Sequence, residues 1–341
     1  MKVLLLTEAN EIVASGHLFE CIEIANSLLR HGYEVALLIN SDIQPELKNR
    51  IGIEYEEYKP PIDKCISILI DYALRINVDC IVTNLREVDN EFIIKCKKEI
   101  NERNNRKIPI LCIDEFGNRF LECDAIINPM IDSKYWNYPN DTCLRFCGQD
   151  YLVLSDELVT YNRMKKHIND DLAMFVVSMG GVDIRGHALK LAYMLPRLFP
   201  KLKINIVCGG GFNKFDELCK LVSGNKRIVV HRNIDYLFDL FYNADLAFCA
   251  GGNTLHELAG IGTPAVVIPS MPHEVDNGRC FAQKGFGVCI ENYLNYSIED
   301  IRRATKMLEN KVVRVNMSNC GKKIVDGKGK ERIISILESM L

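Results

Sequence analysis

Residues 245–257, Asp245-Leu246-Ala247-Phe248-Cys249-Ala250-Gly251-Gly252-Asn253-Thr254-Leu255-His256-Glu257, run from a short apolar strand through two glycines into a helix. A strand that ends in glycines and opens a helix is the building unit of a parallel α/β sheet, with the helix N-terminus aimed at whatever binds beyond the strand. Gly251, Gly252, Asn253 and Thr254 would present backbone N–H groups and a hydroxyl to a diphosphate, and Glu257, about one turn in, could accept hydrogen bonds from ribose hydroxyls. A simple helix cap is the other reading of the same residues. The spacing matches neither Gly-x-Gly-x-x-Gly nor Gly-x-x-x-x-Gly-Lys-Ser/Thr, so nicotinamide and ATP chemistry lack a signature. The chain also lacks an Asp-x-Asp pair to hold a divalent ion under a nucleotide. The expectation is a site without metal or cofactor that neutralises phosphate charge with helix dipoles.

The same alternation of apolar runs and amphipathic stretches extends in both directions. In the first half it predicts strands at Lys2–Leu6, Tyr33–Ile39, Ile53–Tyr58, Asp79–Thr83, Pro109–Asp114 and Ala125–Asn128, with helices at His17–Arg30, Lys64–Ile76 and Glu91–Arg103. The pattern restarts at Ala173–Ser178, Lys203–Val207, Arg227–Val230, Asp245–Cys249, Ala265–Ile268 and Val288–Glu291, each pair separated by a helical segment. Two doubly wound α/β domains follow, 1–150 and 151–341, with the junction in the aperiodic stretch between Asn128 and Asp171 that carries Pro139-Asn140-Asp141. Past Gly327-Lys328-Gly329 a last helix could cross back to the first domain.

Composition agrees with ordinary globular domains. The 341 residues are 48% hydrophobic and 26% charged, enough apolar surface for two cores. Forty-two Lys and Arg against 45 Asp and Glu leave a net charge of −3, which provides no global field for nucleic acid or an anionic membrane. The apolar run after Lys2 is too short for a signal-peptide core, and no run reaches the roughly 18 residues of a membrane span. Fourteen cysteines are scattered singly, and Cys143 and Cys147 lack zinc-site spacing, so they read as buried thiols in a reducing cytoplasm.

Two further loops leave strand ends. The first, Thr7 to His17, closes with Gly16-His17 at a helix start, where the positive helix end disfavours imidazolium and suits His17 to act as a neutral general base. Packing or capping by His17 is the plainer alternative. The second, Met179-Gly180-Gly181-Val182-Asp183-Ile184-Arg185-Gly186, would let backbone N–H groups at Gly180 and Gly181 approach a ligand while Asp183 caps the next helix; an ordinary strand-to-helix turn is equally compatible.

Taken in order, Ser15-Gly16-His17, Cys112-Ile113-Asp114-Glu115, Arg119, residues 122–128, Met179 to Asp183, Ala250 to Glu257 and Gly262-Thr263-Pro264 make the chain resemble the UDP-sugar hydrolases of pseudaminic acid biosynthesis, which remove UDP from UDP-2,4-diacetamido-2,4,6-trideoxy-β-L-altropyranose. Through them it resembles the wider GT-B group that includes the glycosyltransferase making lipid II. The resemblance implies a GT-B fold, two Rossmann-like domains with an interdomain cleft, and a UDP-sugar as the bound partner. It gives His17 the acid/base role, the Gly-Gly segment and following helix the UDP, Glu257 the ribose, and Asn277 a place facing the sugar, with Gly16, Glu20 and Asn84 on the sugar side. The chain leaves the pattern twice: Glu20 stands where the family has arginine three residues after the histidine, and Thr83-Asn84-Leu85 where it has Asp-x-Tyr. The implied activity is hydrolysis of a UDP-linked amino sugar for nonulosonic acid or surface polysaccharide biosynthesis. The alternatives are a GT-B glycosyltransferase using an acceptor hydroxyl in place of water, and a sensor that binds UDP without turnover.

Overall fold

The protein is described from a computed structural model over residues 1–8, 16–40, 48, 51–58, 66–85, 90–104, 106–113, 122–131, 133, 143–234 and 237–341. Ala9–Ser15, Cys65, Asp114, Glu115, Arg119 and Pro139-Asn140-Asp141, which entered the sequence reading, lie outside these residues. The chain divides into two compact units, Met1–Ser155 with Lys328–Leu341, and Asp156–Gly327.

In the first unit, strands β1 (Lys2–Thr7), β2 (Glu34–Asn40), β3 (Tyr55–Tyr58), β4 (Cys80–Asn84), β5 (Ile110–Ile113), β6 (Ala125–Asn128) and β7 (Leu144–Cys147) form one parallel sheet in the order β3-β2-β1-β4-β5-β6-β7. Helices α1 (Gly16–Arg30), α2 (Ile66–Arg75) and α3 (Asn90–Arg103) follow β1, β3 and β4. Alternation along β1 builds two cores: Leu4 and Leu6 join Leu69, Ile70, Phe92 and Ile93 on one face, while Val3 and Leu5 join Leu18, Ile22 and Leu28 on the other. That second face also takes Ile333, Ile334 and Leu337 of the C-terminal helix Gly329–Ser339. Lys330 there is 3% exposed and pairs with Glu23 of α1 at 2.7 Å.

β7 was not expected from the sequence. It is one of the sheet's two edge strands, with Leu144 exposed and the rest half-buried, and Leu144-Arg145-Phe146-Cys147 carries none of the continuous apolar run that marks a strand covered on both faces.

The second unit begins with α4 (Asp156–Arg163) and continues β8 (Met174–Ser178), α5 (His187–Leu198), β9 (Lys203–Cys208), α6 (Phe215–Val222), β10 (Ile228–Arg232), α7 (Leu237–Asn243), β11 (Leu246–Cys249), α8 (Asn253–Ile261), β12 (Ala265–Val267), α9 (Pro272–Gln283) and β13 (Val288–Cys289). Its parallel sheet runs β10-β9-β8-β11-β12-β13. Then come α10 (Ile298–Lys306) and α11 (Lys311–Ile324), and the Gly329–Ser339 helix of the first unit is α12. Each strand order reverses once, between β1 and β4 and between β8 and β11, and ligands of such sheets bind beyond the carboxyl ends at that reversal.

Candidate functional site

In the first unit the reversal point holds His17, Glu20 and Asn84. Parallel register sets Thr7, the last residue of β1, beside Asn84, the last of β4. Within α1, residues 17, 20 and 21 share a face, because positions three and four apart are neighbours on a helix. Asn84 is 1% exposed and joins the two helix residues: its Oδ1 lies 2.5 Å from His17 Nδ1, and its Nδ2 donates to Glu20 Oε2 at 2.9 Å. Nε2 of His17 has no hydrogen-bond partner among the described residues. Below them Cys21 is wholly buried and its thiol is pushed up to about 12 by that burial, so it is an uncharged floor to the site. Gly16, at the start of α1, has no atom of the described residues within 4 Å of where a Cβ would stand.

The second unit gathers glycines at its own reversal point. Ser178 of β8 is in register with Cys249 of β11, so the loops carrying Gly180-Gly181 and Gly251-Gly252 leave from neighbouring strands. Gly180 has φ +81°, a left-handed conformation that favours glycine. Asp183 Oδ1 accepts the N–H of His187 at 2.9 Å and Oδ2 that of Ala188 at 2.8 Å, satisfying two donors at the start of α5. Gly252 is the N-cap of α8 and supplies no side chain to the first-turn N–H groups. Asn253 is exposed, while Thr254 is buried.

Behind this turn stands α9. The Asn277 side-chain amide donates to the Gly251 carbonyl, and the Glu274 carboxylate accepts the Ser270 N–H at 2.5 Å. Asn277 is 2% exposed and its Oδ1 has no partner among the described residues; the side chain expected to face a sugar is bonded to the glycine turn. Glu257 has no hydrogen-bond partner among the described residues, and burial raises its carboxyl from the usual range to about 7. Next to it His256 is buried with both ring nitrogens unpartnered among the described residues, its ring centroid 5.2 Å from that of Phe281, and burial lowers it to about 4.

Several contributors went unread in the sequence. Gly209-Gly210-Gly211 follows β9; Gly211 N–H donates to the Gly181 carbonyl at 3.1 Å, and a Cβ on Gly209 would fall 2.4 Å from that same oxygen. Three consecutive glycines after a strand were the available signal. Arg185 donates through Nε to the Ser270 carbonyl at 2.5 Å and stacks over Tyr293 at 5.0 Å, a pairing no local pattern announces. Among the cysteines, Cys123 and Cys143 bring their thiols within 3.4 Å, although they are 20 residues apart.

No family model matches the chain. It is 24% identical over 280 residues to an uncharacterized protein of Methanocaldococcus jannaschii, covering 79% of this chain and 55% of that one, so it spans about half that relative's length. It is 24% identical over 250 residues to the spore coat polysaccharide biosynthesis protein SpsG of Bacillus subtilis, covering 71% and 72%. Among solved structures it superposes on MurG of Acinetobacter baumannii with a TM-score of 0.69 at 14% identity, over 99% of this chain and 100% of the other. The chain has the GT-B fold. A second GT-B neighbour, UDP-GlcNAc 2-epimerase from Neisseria meningitidis bound to UDP-GlcNAc, gives a TM-score of 0.67 at 14% identity over 99% and 100%. In the GT-B frame, the His17 cluster and the Gly251 turn each occupy the strand-order reversal of a Rossmann-like sheet. No described helix is long and apolar enough to cross a membrane.

Proposed function

We propose that the protein hydrolyses a UDP-linked amino sugar, breaking the anomeric C–O bond and releasing UDP and free sugar for nonulosonic acid or surface polysaccharide biosynthesis. The observation that carries this reading is His17: one ring nitrogen is bonded to Asn84 and the other has no described partner, at the strand-order reversal where ligands bind. His17 takes a proton from water as its oxygen attacks the anomeric carbon, and the bonding pair of the C–O bond leaves with UDP, inverting the centre. The N-terminus of α8, with Gly251, Gly252, Asn253 and Thr254, and the Gly180-Gly181 loop hold the diphosphate. Glu257 takes the ribose hydroxyls; Gly16, Glu20 and Asn84 are the sugar-side residues of the first unit, and Asn277 backs the glycine turn of the second.

The role of SpsG in spore coat polysaccharide biosynthesis and the epimerase's bound UDP-GlcNAc support a nucleotide-sugar substrate. The uridine base and the pseudaminic type of sugar rest on the motif resemblance. The likeness to the UDP-N-acetylglucosamine–N-acetylmuramyl-(pentapeptide) pyrophosphoryl-undecaprenol N-acetylglucosamine transferase of Natranaerobius thermophilus, 24% identical over 242 residues, favours a second reading, sugar transfer to an acceptor hydroxyl through the same base. Incubation with a panel of nucleotide sugars, followed by mass spectrometry and proton NMR with and without acceptors, separates the two. Free sugar and UDP without acceptor is the expected result; turnover only with acceptor establishes transfer, and binding without turnover refutes both.

A further inference from the structure

We propose that Glu20 and Asn84 form a two-residue relay that locks the tautomer of His17 and leaves Nε2 as its proton acceptor; the consequence for catalysis rests on the hydrolase reading above. The argument is one of donors and acceptors. An ionised carboxylate can only accept, so Glu20 obliges Asn84 to turn its NH₂ toward it, and Nδ2 stands 2.9 Å from Glu20 Oε2. The amide then has only its carbonyl for His17, at 2.5 Å from Nδ1. A carbonyl oxygen cannot donate, so the proton of a neutral imidazole sits on Nδ1 and the lone pair on Nε2. Burial of Asn84 at 1% exposure, between β4 and α1, prevents the amide from exchanging these partners for water.

The two residues that make the relay are the two positions at which the sequence leaves the resembled pattern, and they are bonded to each other. Neither suffices alone. An asparagine without the carboxylate could present either end to the imidazole, and a carboxylate at position 20 acts on His17 here through the amide. When Nε2 takes a proton from the attacking nucleophile, Nδ1–H stays bonded to Asn84, whose other end remains tied to an anion, so the imidazolium is held in place and offset in charge. Glu20 and Asn84 are therefore positioning residues, with His17 as the group that meets the nucleophile.

The test uses the full chain with 15N-labelled histidine, assigning His17 by its loss in His17→Asn. Two-bond proton–nitrogen correlations of the ligand-free protein are expected to show one tautomer, Nδ1–H with Nε2 bare. In Asn84→Ala and in Glu20→Gln the two tautomers are expected to mix, with kcat down about tenfold to a hundredfold and KM within about twofold, a part of the roughly hundredfold to ten-thousandfold that a general base supplies. The exchange Glu20→Gln with Asn84→Asp keeps one negative charge and reverses the amide; it is expected to restore the single tautomer and most of the turnover, whereas Asn84→Asp alone sets two carboxylates face to face and stays impaired. An Nε2–H tautomer in the unaltered protein, an unchanged tautomer in folded Asn84→Ala, or failure of the double exchange to restore it overturns the relay. The NMR result needs no substrate, so an intact relay in a protein that hydrolyses no nucleotide sugar refutes the hydrolase reading alone.

Discussion

Asn277 donates its side-chain amide to the backbone carbonyl of Gly251, fastening the first half of α9 to the turn that opens α8. The carbonyl of Glu274, one turn earlier on α9, lies 2.4 Å from where a Cβ on Gly251 would stand. The glycine turn is thus shaped from behind by a helix.

Gly251→Ala is expected to push α9 off this turn. Overpacking of this kind costs about 1–3 kcal/mol, or a melting temperature lower by about 2–4 °C for each kcal/mol in a domain of this size. UDP affinity should fall about tenfold or more with it. Differential scanning fluorimetry and calorimetric titration check both, and an unchanged melting point would show that the close approach is not maintained in solution.

His17→Asn should abolish hydrolysis while sparing nucleotide affinity, because in the proposed mechanism the imidazole meets the nucleophile and the nucleotide is held by the other unit. Parallel kinetics and titration are expected to show turnover reduced about a hundredfold or more, with the UDP dissociation constant within about twofold. Full turnover in this variant would remove His17 from the mechanism.

In the proposed mechanism Glu257 makes UDP binding depend on pH. Burial raises its carboxyl to about 7, above the unfolded value near 4.5, so the native state holds more protons between those two pH values and stability falls as pH rises through that window. At pH 8, Glu257→Gln should therefore be more stable than the parent by up to about 3 kcal/mol, and equal to it near pH 4. Ribose hydroxyls donating to the carboxylate favour its ionised form, so wild-type affinity for UDP should strengthen from pH 6 to 8 relative to Glu257→Gln. Parallel titration curves for the two proteins would show that the ribose does not meet this side chain.

His256 is an acid-sensitive point with the opposite sign. Burial lowers it to about 4 from 6.5, so between these values the unfolded chain binds more protons and stability is lost as pH falls. His256→Leu should flatten that dependence by about 3 kcal/mol between pH 6.5 and 4, read from urea melts. An undiminished slope in the variant would assign the acid sensitivity to other groups.

The apolar runs Val3-Leu4-Leu5-Leu6 and Phe175-Val176-Val177, and the glycine turn at 251–252, were legible because a strand covered on both faces and a strand-to-helix turn are written in adjacent residues. The edge strand Leu144–Cys147 was not, since half-burial asks for no continuous apolar run. Asn277 shows what a motif leaves out: its position was visible, but not that its side-chain NH₂ donates to the Gly251 carbonyl, 26 residues away.

His17, Glu20 and Asn84 divide the same way. Sequence by itself determined that His17 opens a helix after a strand, and that Glu20 follows one turn later on the same face, because both are matters of local spacing. Only the tertiary structure decided that Asn84 stands between them. The register that pairs Thr7 with Asn84 belongs to a parallel sheet whose strands meet across a helical connection, and hydrogen bonds spanning 64 and 67 residues exist only once that sheet has formed.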